Sequence, residues 1–190
     1  MIRIGILGDI GAGKSFVAKN FGCPIFNADQ EVAKLYESNK EIFIKLKKKL
    51  PKFIRSFPID KKEITNAILT NKKNLDIIIK IIHFEIRKKL SIFLKENRKE
   101  KIIILDIPLL LENNINDKKD ILIFVDSKKT QIFKRLKKRK NFNEILLRKF
   151  KSIQLPASYK KKKSQFIIRN DFTKKTVINR IKSILKKLQK

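Results

Sequence analysis

Tryptophan is absent from this chain of 190 residues, and cysteine, methionine and histidine occur once each. A lone Cys23 forms no internal disulfide and has no partner thiols for a zinc site, so a disulfide scaffold is excluded and a reducing cytoplasm fits. With 5 glycines and 5 prolines, the chain has no Gly/Ser/Pro-rich linker and no low-complexity tract. Acids are scarce: 18 Asp and Glu face 48 Lys and Arg. No apolar run approaches the ~20 residues that a membrane span needs. The opening Met1-Ile2-Arg3-Ile4-Gly5 enters a strand-like run at once, without the layout of a signal peptide. The expected location is therefore cytoplasmic, with no membrane partner.

What is present is a globular composition. Hydrophobic residues make up 42% of the chain, and a chain of this length suits one domain that buries roughly 70% of its unfolded surface. The formal charge of +30 has two readings. One is a polyanion partner, such as nucleic acid or an anionic surface. The other is compositional drift, because Lys, Ile, Asn and Phe are the residues that AT-rich coding favours. The lysines are spread along the whole chain, and no aromatic-basic platform appears. Drift is the expected reading, with no specific nucleic-acid partner. Either way, a basic surface draws in phosphorylated ligands at a salt-dependent rate.

Short apolar runs alternate with helical patterns. Ile2–Leu7, Pro24–Asn27, Ile102–Leu105, Ile121–Val125 and Phe166–Ile168 read as strands. Helices are expected from Phe16 to Phe21, Gln30 to Tyr36, Thr130 to Arg139, Glu144 to Ile153 and Lys174 to Leu188. A long helical region runs from about 41 to 98, broken near Pro51 and Pro58, with an apolar stripe of Leu75, Ile78, Ile79, Ile82 and Ile86. Strand–helix alternation of this kind means an α/β fold with a parallel sheet flanked by helices.

The sharpest motif is Gly8-Asp9-Ile10-Gly11-Ala12-Gly13-Lys14-Ser15, a full G-x-x-x-x-G-K-S phosphate loop between a strand and a helix. Glycines let backbone N–H groups curl around phosphate oxygens; the lysine faces the β- and γ-phosphates, and the serine hydroxyl ligates Mg²⁺. Asp29 follows the second strand. It suits either a carboxylate acting beside the phosphate loop or a helix N-cap. Asp106 ends the third strand, either as an acid near Mg²⁺ through water or as a polar strand end. Arg135 and Arg139 lie four apart on the basic helix, as lid cations or as a solvated basic face. His83 is either a substrate contact or a structural histidine.

These residues together resemble the dephospho-CoA kinase family. Its G-G-I-G-[SA]-G-K-S matches Gly8–Ser15, with Asp9 for the second glycine. Its D-A-D matches Asn27-Ala28-Asp29, its D-R-x-x-L resembles Asp60-Lys61-Lys62-Glu63-Ile64, and its L-x-H-P resembles Ile81-Ile82-His83-Phe84. Its P-L-L-F-E matches Pro108–Glu112, and its Q-x-P matches Gln154-Leu155-Pro156. Its lid arginine falls on Arg139, and its A-D-x-V-I-x-N resembles Ser164–Asn170.

The resemblance implies a single P-loop kinase domain over 1–190. About 1–38 and 99–190 would form the nucleotide-binding core, with a small helical lid around 135–155; about 39–98 would form a helical acceptor-binding insert. It implies ATP-dependent phosphorylation of the ribose 3′-hydroxyl of dephospho-CoA, the last step of coenzyme A synthesis, with ATP and Mg²⁺ as cofactors. Asp29 would be the base, with Lys14 and Arg139 as catalytic cations. Gly11, Ala12, Gly13, Lys14, Ser15 and Phe16 would bind nucleotide. Asp29, Lys61, His83 and Asp106 would bind substrate, and Ser15 and Asp106 (the latter through water) would serve the metal. The chain is expected to act as a monomer on one small molecule. Two other readings are a nucleoside or nucleoside monophosphate kinase, and a basic P-loop ATPase that binds nucleic acid.

The charge reading is testable. If the +30 surface is drift, RNA and DNA bind weakly at about 150 mM salt, without sequence preference, and the binding fades as salt rises. Nanomolar, sequence-selective binding at that salt in a fluorescence-anisotropy titration would refute it.

Overall fold

The computed structural model describes residues 1–140 and 142–188. Strand β1, Ile2–Gly8, lies at the centre of a five-stranded sheet of order β2-β3-β1-β4-β5. The others are β2 (Ile25–Asn27), β3 (Ile102–Asp106), β4 (Ile121–Asp126) and β5 (Phe166–Arg169). Every pairing is parallel. Parallel strands are covered on both faces and so read as unbroken apolar runs rather than alternating ones. Ile4, Ile6, Ile103, Ile104, Leu105 and Ile123 are fully buried. Each such side chain contributes about 1.5–3 kcal/mol relative to exposure. The expected strands are all present, with bounds shifted by one residue at most at the ends compared.

Among the described residues there are nine helices. They are α1 (Lys14–Lys19), α2 (Ala28–Ser38), α3 (Lys40–Lys49), α4 (Lys61–Thr70), α5 (Lys72–Glu96), α6 (Lys129–Lys137), α7 (Glu144–Ser152), α8 (Ala157–Lys163) and α9 (Lys174–Leu188). None is long and apolar enough to cross a membrane.

The chain forms two compact units: 1–27, 97–142 and 153–190 in the first, 28–96 and 143–152 in the second. The first holds the sheet, with α1 against β1, β2 and β3, α8 against β1 and β4, and α9 against β5. The second is helical. There α5 packs on α2, α3 and α4, and α4 packs on α7. Of the predicted stripe on α5, Leu75, Ile78, Ile82 and Ile86 are buried and Ile79 is half-buried; Leu90 extends it by one turn. The units divide the chain differently from the expected boundary at 38 and 39. They group α2 with the helical unit, and within the expected lid stretch of 135–155 they group 143–152 with that unit as well. Asn141, in the same stretch, lies outside the described residues.

Two features escaped the sequence reading. The long helix breaks at Asn71, which has neither proline nor glycine to announce it. Asn71 takes an extended backbone at the end of α4, and its side-chain oxygen accepts from Lys73 N at 2.9 Å, capping α5. Helix α8 begins just after Pro156, a position that suits the first turn because the missing N–H is not needed there. The loop before α4 is organised by one acid. The Glu63 carboxylate accepts from the backbone N–H groups of Arg55 and Ser56 at 3.2 and 3.3 Å.

A buried ion pair fastens the entry of β1. Arg3 Nη2 donates to Asp120 Oδ2 at 3.1 Å, and Nε stands 2.8 Å from Oδ1 in a contact that forms no hydrogen bond. Asp117 N also donates to Asp120 Oδ2, at 2.9 Å. Burial pushes the Asp120 carboxyl above its usual range, against the opposing pull of the Asp117 N–H and the Arg3 guanidinium. The Asp120 side chain is 1% exposed and that of Arg3 21%. Removing one partner strands a charge, whereas replacing both with apolar residues does not. Asp120→Ala is therefore expected to cost about 2–3 kcal/mol in urea unfolding, and the pair Arg3→Met with Asp120→Leu to recover most of it. A single variant as stable as the native chain would show that the pair contributes nothing.

Candidate functional site

In parallel α/β sheets, ligands bind outside the carboxyl ends of the strands. At that edge β1 runs out at Gly8, β2 at Asn27, β3 at Asp106 and β4 at Asp126. The motif Gly8–Ser15 leaves β1 there and opens α1. Its shape is set by small residues. Gly11 has φ of 87°, and a Cβ there would meet Leu136 Cγ at 2.9 Å and Ile132 Cγ2 at 3.0 Å. Gly13 has φ of 91° and caps α1; a Cβ there would collide with the Asn170 side-chain amide. The loop thus lies flat against α6 on one side and the end of β5 on the other, with backbone alone filling the space.

The lysine of the motif serves carbonyls of the loop itself. Lys14 Nζ donates to the carbonyls of Gly8 at 3.2 Å and Asp9 at 3.1 Å. Ala12 N donates to Asp9 O at 3.1 Å. Ser127 Oγ and Asn170 Nδ2 both donate to Ala12 O, at 3.0 and 2.8 Å. Ser15 is exposed in the first turn of α1, and Phe16 behind it is half-buried. This is a nest of backbone groups at a helix N-terminus, which suits a multiply charged anion. Glycines that a Cβ would block, a lysine and an exposed serine hydroxyl fit a nucleotide triphosphate with its metal.

Asp106 is 4% exposed at the end of β3. It pairs in register with Asn27, and Asn27 Nδ2 donates to its Oδ2 at 2.8 Å. A carboxylate at position 27 would set two negative charges at that distance; the amide instead supplies the proton that Asp106 accepts. Next to the loop, Gly8, Lys14, Leu109, Glu112, Gln154 and Lys160 line a small cavity. Glu112 accepts from Leu155 N at 3.0 Å and stands 3.5 Å from Lys160 Nζ. Lys160, 2% exposed, is a buried cation that the sequence reading missed in a run of four lysines.

The basic helix carries two functions on two faces. Ile132 and Leu136 are buried beneath Gly11, while Arg135 stacks on the Phe172 ring at 4.2 Å. The helix ends at Lys137, capped by Lys138, so Arg139 lies past it in the following turn and not on a shared face with Arg135. Arg139 is exposed. Its N–H donates to Leu136 O at 3.1 Å.

The helical unit carries the other candidates. Asp29 sits in the first turn of α2, where a carboxylate favours the helix dipole. Because α2 starts at Ala28, Asp29 is inside the helix rather than its N-cap. Lys61 is exposed at the first position of α4, after Asp60, which caps the helix by accepting from Lys62 N at 2.8 Å. His83 is half-buried in α5. Burial, then the nearby Arg87 guanidinium, holds its imidazole below the ordinary histidine range. It is therefore neutral at physiological pH and offers one donor and one acceptor rather than a charge.

Known proteins resemble this chain in sequence and in fold. The chain is 33% identical over 190 residues to the dephospho-CoA kinase of Wolbachia sp. subsp. Brugia malayi, covering 97% of each chain. It is 31% identical to that of Wolbachia pipientis wMel, again over 97% of each. A solved structure of TT1252 from Thermus thermophilus shares the fold with a TM-score of 0.77 at 22% identity, over 98% of this chain and 97% of that one. The dephospho-CoA kinase from Campylobacter jejuni follows at 0.63 and 21%, over 98% and 96%. The family model for dephospho-CoA kinase matches residues 2–176, from the first residue of β1 into the last helix, and on that match the chain belongs to the dephospho-CoA kinase family.

Proposed function

We propose that this chain transfers the γ-phosphate of ATP to the ribose 3′-hydroxyl of dephospho-CoA, giving coenzyme A and ADP. The observation that carries the reading is the family match over residues 2–176, joined to a phosphate loop whose glycines leave room for backbone alone. A kinase family uses ATP as donor. The proposed setting is the cytoplasm, and the proposed state a monomer, with the small molecule as its only specific partner.

The roles follow from chemistry. Backbone N–H groups of Gly11–Ser15 hold the phosphates; Lys14 releases its carbonyls and turns to the β- and γ-oxygens. Ser15 and, through water, Asp106 would hold Mg²⁺, which supplies positive charge to the phosphate oxygens. Asp29 accepts the proton of the attacking hydroxyl; its support is its place two residues beyond the end of β2. Arg139 neutralises the transferring group from an exposed turn. Lys61 and a neutral His83 orient the acceptor by charge and by hydrogen bond. Most of the rate comes from positioning and electrostatics.

A screen of acceptors with radiolabelled ATP tests the reading. Dephospho-CoA is expected to be labelled far faster than nucleosides, nucleoside monophosphates or RNA-stimulated water. Labelling of a nucleoside instead would sink it. In the same assay Asp29→Asn is expected to lower kcat by roughly 10²–10⁴ while ATP affinity changes little. A fall in thermal stability with normal turnover per folded molecule would reduce Asp29 to a helix residue.

Arg139→Ala is expected to cost roughly 10³ in kcat. Arg135→Ala is expected to cost less, because Arg135 is engaged with Phe172. Equal, small effects on single-turnover rates would mean that neither arginine reaches the transferring group.

A further inference from the structure

The carbonyl of Ala12 is held from two strand ends at once. Ser127, just past β4, donates its hydroxyl at 3.0 Å, and Asn170, just past β5, donates its amide at 2.8 Å. A carbonyl oxygen has two lone pairs, so both are engaged. Asn170 is itself fixed. It is 2% exposed, its backbone N–H donates to Asp126 O at 2.7 Å, and its side-chain oxygen accepts from Phe172 N at 2.9 Å. The close approach depends on position 13, because a Cβ on Gly13 would occupy the space of the Asn170 amide.

The consequence is one of peptide geometry. The bond joining Ala12 to Gly13 is planar and trans, so its C=O and N–H point in opposite directions. Drawing the Ala12 oxygen to the sheet end aims the Gly13 N–H away from it, into the turn that receives phosphate. We propose that Ser127 and Asn170 are positioning residues for the nucleotide: they touch no phosphate, but preset the Gly13 N–H by clamping the Ala12 carbonyl. The inference rests on the reading of Gly8–Ser15 as the ATP loop. In these terms Ser127 is more than a residue after a strand, and Asn170 more than a turn former before α9.

The test is calorimetric titration of ADP and of a non-hydrolysable ATP analogue into the full chain, beside steady-state kinetics. Ser127→Val removes the donor, and Ser127→Thr, which has the same shape as valine, keeps it. Ser127→Val is expected to weaken both nucleotides by about five- to tenfold, and Ser127→Thr to restore affinity to within about twofold. Asn170→Asp, which sets an acceptor against an acceptor, is expected to lose about tenfold or more. KM for ATP rises with these losses while KM for dephospho-CoA does not. A purely structural role would instead lower the melting temperature without nucleotide and leave the affinity of the folded protein intact. If Asn170→Asp does not fold, the Ser127 pair decides alone. Equal nucleotide affinity in Ser127→Val and the native chain would overturn the inference. Absence of ADP binding by the native chain would instead remove the loop reading on which it rests.

Discussion

A loop that turns its N–H groups toward an anion turns carbonyls the other way, and those carbonyls must find donors. Here the demand is met from three directions. Lys14 serves Gly8 and Asp9 from within the loop, and Ser127 and Asn170 serve Ala12 from the sheet. The arrangement requires parallel strands, because only then do β1, β4 and β5 deliver their ends to the same edge. It also requires glycine where the donors come close. The fully apolar core of β1, β3 and β4 is what keeps those ends in register. The Lys14 ammonium satisfies the carbonyls of Gly8 and Asp9. An unpaired buried polar group is costly, so these contacts help hold the turn of the loop.

Acid placement follows from scarcity. Some of the 18 acids pair on the surface, as Glu31 does with Lys34 and Glu144 with Arg148, and others are buried or half-buried at junctions. Asp120 fixes the start of β1, Asp106 is satisfied by an amide rather than a cation, and Glu112 joins the segment after β3 to Leu155 and Lys160. Asn27 is instructive. Against the family pattern it looks like a loss of charge, yet with Asp106 2.8 Å away it removes a repulsion and adds a donor.

The parts of the molecule written in local sequence were the legible ones. Apolar runs bounded by polar residues identify all five strands, and the motif Gly8–Ser15 carries its own turn chemistry. The stripe on α5 follows helical spacing with one half-buried exception at Ile79. What stayed hidden depends on tertiary contact or on a cap without a strong signature. Asn71 breaks a helix by using its side chain as a cap, and no sequence rule separates it from the many other asparagines. The end of α6 at Lys137 lies inside an unbroken run of good helix formers. Lys160 is inward and Lys161 pairs with Asp126, although the four lysines are identical by eye. Ser127 and Asn170 are invisible as a pair because they follow different strands and meet only on the loop.

Helix polarity offsets part of the positive charge. The acids that sit on helices favour first turns: Asp29 and Glu31 in α2, Glu41 in α3, Glu63 in α4 and Glu144 in α7. The lysines crowd last turns: 47–49 in α3, 160–163 in α8, 186 and 187 in α9, with Lys134, Arg135 and Lys137 in α6. Anions near N-termini and cations near C-termini each contribute about 0.3–1 kcal/mol at exposed sites. Many small gains of one sign offset part of the mutual repulsion among lysines. Part of the excess charge is thus placed where the helix dipoles favour it, while α3, α4, α5, α6 and α9 also open on lysine. The phosphate loop uses the same rule at the opposite pole, since α1 has no acid in its first turn and leaves its positive end for the ligand.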